Sequence, residues 1–305
     1  MPSFGITSGC MTADKRYALA LRLAEWGDFS ASADLLQQGI ELAPDWPPLY
    51  FHFGEALRQA KNYAAARHAF EEYLRLDPAD AMGAAIKLFL IGAAPAPPTM
   101  PEEYVRTLFH QYAPKFEKSL VGNLAYRAPG EMAALVFAHR ENGFSHILDL
   151  GCGTGLAAQF FQGRGAAMTG VDLAPGMIRE ARAKNLYTAL HEARIEDFLA
   201  AAEERYDLAL AADLFVYIGE IAAIFKQIAT VMTDGGLYCF SVQTPESGTD
   251  GWILGPDHRY AHAHAYIARC IEEAGLALVD FRAAIPLRLD GGKPVAGAIY
   301  LARKP

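Results

Sequence analysis

Two periodicities divide the chain. Through residue 92, apolar residues recur at four-residue spacing, as in Leu19/Leu23, Leu36/Ile40, Phe53/Leu57 and Phe70/Leu74. Such spacing puts side chains on one face of a helix. The pattern repeats after 34 residues: Leu19 pairs with Phe53, Ala20 with Gly54, Leu23 with Leu57, Phe29 with Tyr63, Leu36 with Phe70, Ile40 with Leu74, Leu42 with Leu76 and Pro44 with Pro78. Small residues at Ala20 and Gly54 let two helices approach, and large ones fill the groove between them. Ala79 to Ile91 reads as one further helix capping the stack. From residue 145 the pattern changes to short apolar runs, Ser145–Leu150, Ala166–Val171, Tyr206–Ala212 and Leu237–Val242, with helical segments such as Gly176–Lys184 and Ile221–Met232 between them. Strand and helix in alternation predict a doubly wound, mostly parallel sheet. Two late β-like runs, Leu276–Ile285 and Val295–Ala302, flank Asp290-Gly291-Gly292 and read as an antiparallel hairpin at one edge.

Proline cannot continue a helix, so the stretch AAPAPPTMP reads as a linker. The expected domains are residues 1–92, helical; 93–101, linker; and 102–305, α/β, beginning with an amphipathic helix that carries Tyr104, Leu108, Tyr112 and Phe116. A 34-residue helical period with a proline after each second helix resembles the tetratricopeptide repeat. Ser32 and Gly39 depart from its usual residues. The resemblance implies either a groove for a peptide or protein partner, or a helical cap that aids dimerisation.

Composition narrows the functions. With 27 basic and 35 acidic residues the net charge is −8, which disfavours a non-specific grip on nucleic acid or an anionic membrane. The four cysteines form no CxxC pair, so reduced thiols, no disulfide framework and no zinc site are expected. The N-terminal segment lacks the apolar core of a signal peptide and no run is long enough to span a bilayer, so a cytoplasmic protein is expected.

The chemistry lies in ILDLGCGTG, followed by VDLA. Gly151, Gly153 and Gly155 give G-x-G-x-G, a turn where backbone can approach a ligand. The dinucleotide fingerprint needs a third glycine where Leu156 stands. Asp149 precedes the turn, and a carboxylate there suits an ammonium better than a phosphate. Asp172 closes the next strand and can accept both hydroxyls of a ribose. A ribose with an amino-acid head and no phosphate describes S-adenosylmethionine.

These motifs resemble the class I S-adenosylmethionine-dependent methyltransferases over roughly residues 102–305, including the Gly235-Gly236 step before the fifth strand. With the front helices, the whole chain is similar to bacterial methyltransferases that contain tetratricopeptide repeats. The resemblance implies a Rossmann-like domain with a seven-stranded sheet. It also assigns residues. Asp149 and the Gly151-Cys152-Gly153 turn would hold the methionine end, Asp172 the ribose, and Leu173 and Met177 the adenine. Ala211, Ala212 and Asp213 would lie beside the methionine part. Arg194 stands where the family usually has an acid, so Glu196 or the backbone of Ile195 would serve the adenine amino group. Tyr112 and Arg127 would meet the methionine carboxylate from a covering helix.

Methyl transfer needs a base only if the acceptor must lose a proton. The expected acceptor side is Tyr217 after the fourth strand and the loop after the fifth, with Arg259 for a carboxylate or phosphate, Tyr260 as a contact and His262 as a base. His262 and His264 would not share a helix face, so no metal is expected. Arg288 and Lys293 read as a solvated hairpin edge. The D/N-P-P-Y/F string of nucleic-acid amine methyltransferases is absent from AADLFVYI, which leaves a small-molecule acceptor first and a protein acceptor second, methylated on O, N or S with S-adenosylhomocysteine released. The rival is a repeat scaffold with a degenerate methyltransferase domain. A nicotinamide-dependent oxidoreductase is third.

Overall fold

The computed structural model describes residues 5–117, 126–246, 248–290 and 292–305. The chain forms two compact units, Met1–Thr107 and Leu108–Pro305. They divide inside a helix, beyond the proline-rich stretch.

The first unit holds α1 (Met11–Glu25), α2 (Phe29–Leu42), α3 (Pro47–Gln59), α4 (Tyr63–Leu76) and α5 (Ala84–Leu90). The bounds of α2 and α4 differ by the 34-residue period, and both helices are capped alike. Asp28 accepts from the backbone N–H of Ala31, and Asn62 from that of Ala65, each satisfying an orphan donor of the first turn. Gly54 lets α3 lie against α4, because a Cβ there would sit 2.8 Å from the Phe70 ring. Gly39 serves Leu49 in the same way, at 2.7 Å. The fifth helix starts later than its apolar pattern suggests. Asp80 accepts from the backbone N–H groups of Ala84 and Ala85, and buried Asp77 accepts from Ala81 N–H and the Tyr73 hydroxyl. These bonds hold residues 77–83 in a turn.

The helix α6 (Glu102–Glu117) spans the division, and residues 118–125, the end of the expected covering segment, lie outside the described residues. The second unit continues with α7 (Ala128–His139), β1 (Phe144–Leu150), α8 (Leu156–Phe160), β2 (Gly165–Asp172), α9 (Pro175–Ala183), β3 (Ala189–Glu192), α10 (Ile195–Ala201), β4 (Tyr206–Ala211), a 3-10 turn (Phe215–Tyr217), α11 (Ala222–Val231), β5 (Met232–Gln243), β6 (Trp252–Leu254), β7 (Tyr260–His262), α12 (His264–Glu273), β8 (Ala277–Asp290) and β9 (Lys293–Arg303). The sheet runs β3-β2-β1-β4-β5, all parallel; β9 adds antiparallel to β5 and β8 to β9. Reversal of strand order between β1 and β4 puts a crevice at their carboxyl ends.

Among the described residues nine strands stand where seven were expected. The extra pair, β6 and β7, lies in the loop after β5 and joins it at Gln243↔Ala261. Three-residue strands carry too little alternation to be seen in sequence. The central strands are apolar on both faces, as a covered parallel sheet requires. Leu208, Leu210, Leu237 and Cys239 pack with α7 and α8, while Ala209, Ala211, Tyr238 and Phe240 pack with α10, α11 and α12. Asp207, at the start of β4, accepts from the backbone of Ser145 and His146 and from Arg140, which fixes the entry of β1. The final hairpin forms as expected, although Gly291 of its turn lies outside the described residues.

Candidate active site

The glycine turn leaves β1 with Gly151 at φ +64° and Gly153 at φ +54°, conformations that side chains other than glycine rarely adopt. A Cβ at Gly151 would also meet Leu214 at 2.9 Å. Two carboxylates bracket this turn. Asp149 is 1% exposed and accepts a 2.7 Å bond from the Tyr187 hydroxyl. Burial, with the Asp172 charge nearby, pushes its carboxyl up to about 7 despite that bond. Asp172 accepts from the backbone N–H groups of Gly153 and Ala174, both at 2.8 Å. Burial raises it to about 6, against those two amides. Two acids held near neutrality form a poor seat for phosphate and a favourable one for a cation.

Cys152 is buried, and its N–H donates to Val171, which locks the turn to β2. Its thiol is pushed up by burial, so it is a packing group. Leu173 lies half-buried beside Asp172. Met177 is 1% exposed and packs with Ala113, Ala174, Phe109 and Phe116. The helix α6 therefore lies across the first turn of α9, and Gly176 permits its approach, with the His110 carbonyl 2.9 Å from where a Cβ would stand. Glu117 ties this helix to the turn by accepting from the Thr154 hydroxyl at 2.5 Å and pairing with Lys184. Tyr112 lies edge-on to Phe116 at 5.8 Å. Arg127 is exposed at the N-cap of α7, and its side chain makes no hydrogen bond or ion pair with a described residue.

After β3, Arg194 caps α10 and pairs with Glu196 at 3.7 Å, while Ile195 is buried in the core. The carboxylate expected to serve an adenine amino group thus already faces a guanidinium. At the end of β4, Ala211 is fully buried, Ala212 is half-buried, and Asp213 adopts φ +55°. Ser241 accepts the Asp213 N–H at 2.9 Å, and Arg288 pairs with its carboxylate at 3.2 Å. A non-glycine residue held left-handed is stored strain of the kind that collects at functional sites.

Three acceptor-side expectations are corrected. Arg288 does not lie on a solvated edge. It is 5% exposed and bonds to Asp213 and Gln243, because β8 carries its side chain inward over the ends of β4 and β5. A lone arginine inside the alternation IPLRLD was the available signal. His262 is fully enclosed, with Nε2 facing the Ile218 and Gly219 carbonyls. Burial holds its pKa down to about 4. It ties β7 to the chain after β4, and an acceptor cannot reach it as a base. Tyr260 is likewise buried, edge-on to Trp252. Tyr217 does meet Arg259, whose Nη1 donates to its hydroxyl at 2.5 Å. Burial raises the Tyr217 phenol, so it stays protonated at neutral pH. Tyr187, in the α9–β3 connection, was missed; nothing in NLYTAL distinguishes it from a core tyrosine.

Residues 147–236 match the family model described as a methyltransferase domain. The matched residues run from β1 to the start of β5, within the second unit. A ubiquinone biosynthesis O-methyltransferase of Methylobacterium sp. (strain 4-46) is 26% identical over 161 residues, covering 48% of this chain and 65% of the relative. Relatives of the same description from Serratia proteamaculans and Xylella fastidiosa are spanned over 46% and 39% of their length. The chain thus spans under two thirds of these relatives. Among solved structures, the methyltransferase fold is shared with 1,6-didemethyltoxoflavin-N1-methyltransferase of Burkholderia thailandensis (TM-score 0.53, 20% identity, 69% of this chain and 93% of that one). It is shared also with magnesium protoporphyrin IX methyltransferase of Synechocystis PCC 6803 (TM-score 0.52, 18% identity, 67% and 99%). Among the described residues no helix is long and apolar enough to cross a membrane.

Proposed function

We propose that this protein is an S-adenosylmethionine-dependent methyltransferase acting on an O, N or S atom of a small molecule. The observation that carries this is the pair Asp149 and Asp172 on either side of a left-handed glycine turn, one buried and one at the end of β2. Asp149 and the backbone of residues 151–153 would hold the amino-acid end, and Asp172 the ribose. The cofactor supplies an electrophilic methyl on a sulfonium, whose departure needs no proton. The chain's part is then to bind, orient and exclude water. Proximity and orientation can supply on the order of 7–11 kcal/mol in favourable systems. Aromatic residues of α6 close one side, with Phe109 edge-on to Tyr217 at 5.1 Å and to Phe116 at 6.0 Å.

The curated relatives are named for ubiquinone biosynthesis and two structural neighbours for other small molecules, which supports a small-molecule acceptor here. The period shared by α2 and α4, with matching caps at Asp28 and Asn62, supports a tetratricopeptide-type first domain that contacts a partner or a second copy. The Arg194–Glu196 pair favours the second reading, a scaffold whose adenine contact has been lost.

Calorimetric titration with S-adenosylhomocysteine separates the two. One-to-one micromolar binding by the parent chain, weakened at least about tenfold in Asp172→Ala, is expected, since a hydrogen bond to a charged group is worth about 1.5–3 kcal/mol. No heat from the folded parent would leave the scaffold.

A further inference from the structure

The sequence offers Arg259 for a carboxylate or a phosphate, and its surroundings in the fold narrow that choice. Arg259 lies on the turn between β6 and β7, directly after His258, a non-glycine residue at φ +58°. The turn is held by Asp257, which accepts from the Arg259 backbone N–H and from Gln243, the last residue of β5. The side chain is half-buried, with its guanidinium carbon 5.0 Å from the Tyr217 ring centroid and Nη1 on the Tyr217 hydroxyl. Among the described residues no carboxylate pairs with it. Arg288, nearby, already has Asp213 and Gln243.

A half-buried guanidinium with one neutral partner leaves most of its five donors for a ligand. Its surroundings set the ligand's charge. Arg259 and Arg288 stand against the carboxylates of Asp213 and Asp257, so no net positive charge is left beside the ends of β4 and β5, which disfavours a phosphate dianion more than a monoanion. Phe109, edge-on to the Tyr217 ring at 5.1 Å, offers an apolar wall.

We propose that Arg259 anchors a carboxylate on the methyl acceptor, so that the acceptor is a small monoanion with an apolar body. This rests on the methyltransferase function above and deepens it. The carboxylate is a handle and not the methylated group, because oxygen lone pairs engaged by a guanidinium are poorer nucleophiles. Tyr217 acts through Arg259 as a positioning residue.

Ligand-observed NMR with benzoate, its neutral isostere benzamide, and phenyl phosphate tests this, with the full chain saturated with S-adenosylhomocysteine. Benzoate should bind at least about tenfold more tightly than benzamide, the loss associated with one charge-assisted hydrogen bond. Arg259→Gln should abolish that preference, and Arg259→Lys, which keeps the charge, should retain part of it. Equal binding of benzoate and benzamide, no binding of either, or a preference that survives in Arg259→Gln would overturn the anchor while leaving the methyltransferase function standing. Tighter binding of phenyl phosphate would overturn the monoanion. A separate titration of the parent chain with S-adenosylhomocysteine reads the underlying function, and its failure would remove the acceptor altogether.

Discussion

Replacing Asp149 with asparagine should make the ligand-free protein more stable at pH 8 relative to pH 5, while weakening cofactor binding. The carboxyl has an ordinary value of 3.8 and is pushed up to about 7 in the fold, chiefly by burial. A carboxyl raised in this way binds more protons folded than unfolded between those values, so stability falls as pH rises through that window. At 1.36 kcal/mol per unit, the ionised group costs the fold up to about 4 kcal/mol above pH 7, and about 2–3 kcal/mol of that develops between pH 5 and pH 8. Asparagine keeps an acceptor for the Tyr187 hydroxyl but buries an amide whose unpaired N–H groups cost about 1–3 kcal/mol at any pH. The absolute change is therefore a balance, and the change with pH is the clean quantity. The difference in unfolding free energy, variant minus parent, should rise by about 2–3 kcal/mol from pH 5 to pH 8, or roughly 4–12 °C in midpoint for a unit of this size. His262 titrates in both proteins and cancels. Calorimetric melts at four pH values check it. Parallel curves for parent and variant would refute the argument that a buried charge is retained here at the expense of stability, and with it the inference that a cationic group compensates it when bound.

Arg288→Met should destabilise the protein by about 3–5 kcal/mol, because it leaves the Asp213 carboxylate partly buried without its cation; urea unfolding reads this, and a loss below about 1 kcal/mol would mean that water replaces the arginine. Gly54→Ala should cost about 1–3 kcal/mol by pushing a methyl group to within 2.8 Å of the Phe70 ring, measured as a lower thermal midpoint for the helical signal. Lys184→Met should loosen the end of α6, since among the described residues it leaves Glu117 with Thr154 alone. Faster hydrogen exchange across residues 108–117 is expected, and unchanged exchange would assign the hold to Phe109 and Phe116 alone.

Legibility in the sequence followed the length and two-sidedness of each element. The central strands were visible because burial on both faces makes runs such as ILDL and LYCFSV apolar throughout. Helices α2 and α4 were visible because the same apolar positions returned after 34 residues. Glycine turn, Asp149 and Asp172 are contiguous in two short strings, so the turn and the two carboxylates that bracket it could be read locally. The cluster beyond β4 and β5 could not. Tyr217 and Arg259 lie 42 residues apart, and Asp213 and Arg288 lie 75 apart. Only the pairing of β5 with β9, and of β9 with β8, turns Arg288 from an edge residue into a buried one. His262 misled for the same reason, since polarity suggested a surface loop where a three-residue strand encloses the ring.

The two sides of the crevice differ in charge, one holding two carboxylates and the other two guanidinium groups among carboxylates. Asp149 and Asp172 end β1 and β2, whereas Arg288 and Arg259 gather beyond β4 and β5, with Asp213 and Tyr217 between the two groups. Burial raises the carboxyls of Asp149 and Asp172, so the acidic side gains from a cationic group that compensates the ionised forms. A ligand bridging the crevice must therefore present positive charge toward β1 and β2 and negative charge toward Arg259. A sulfonium-bearing amino acid beside a carboxylate-bearing acceptor has that polarity. A dinucleotide, with phosphates over the glycine turn, has the reverse.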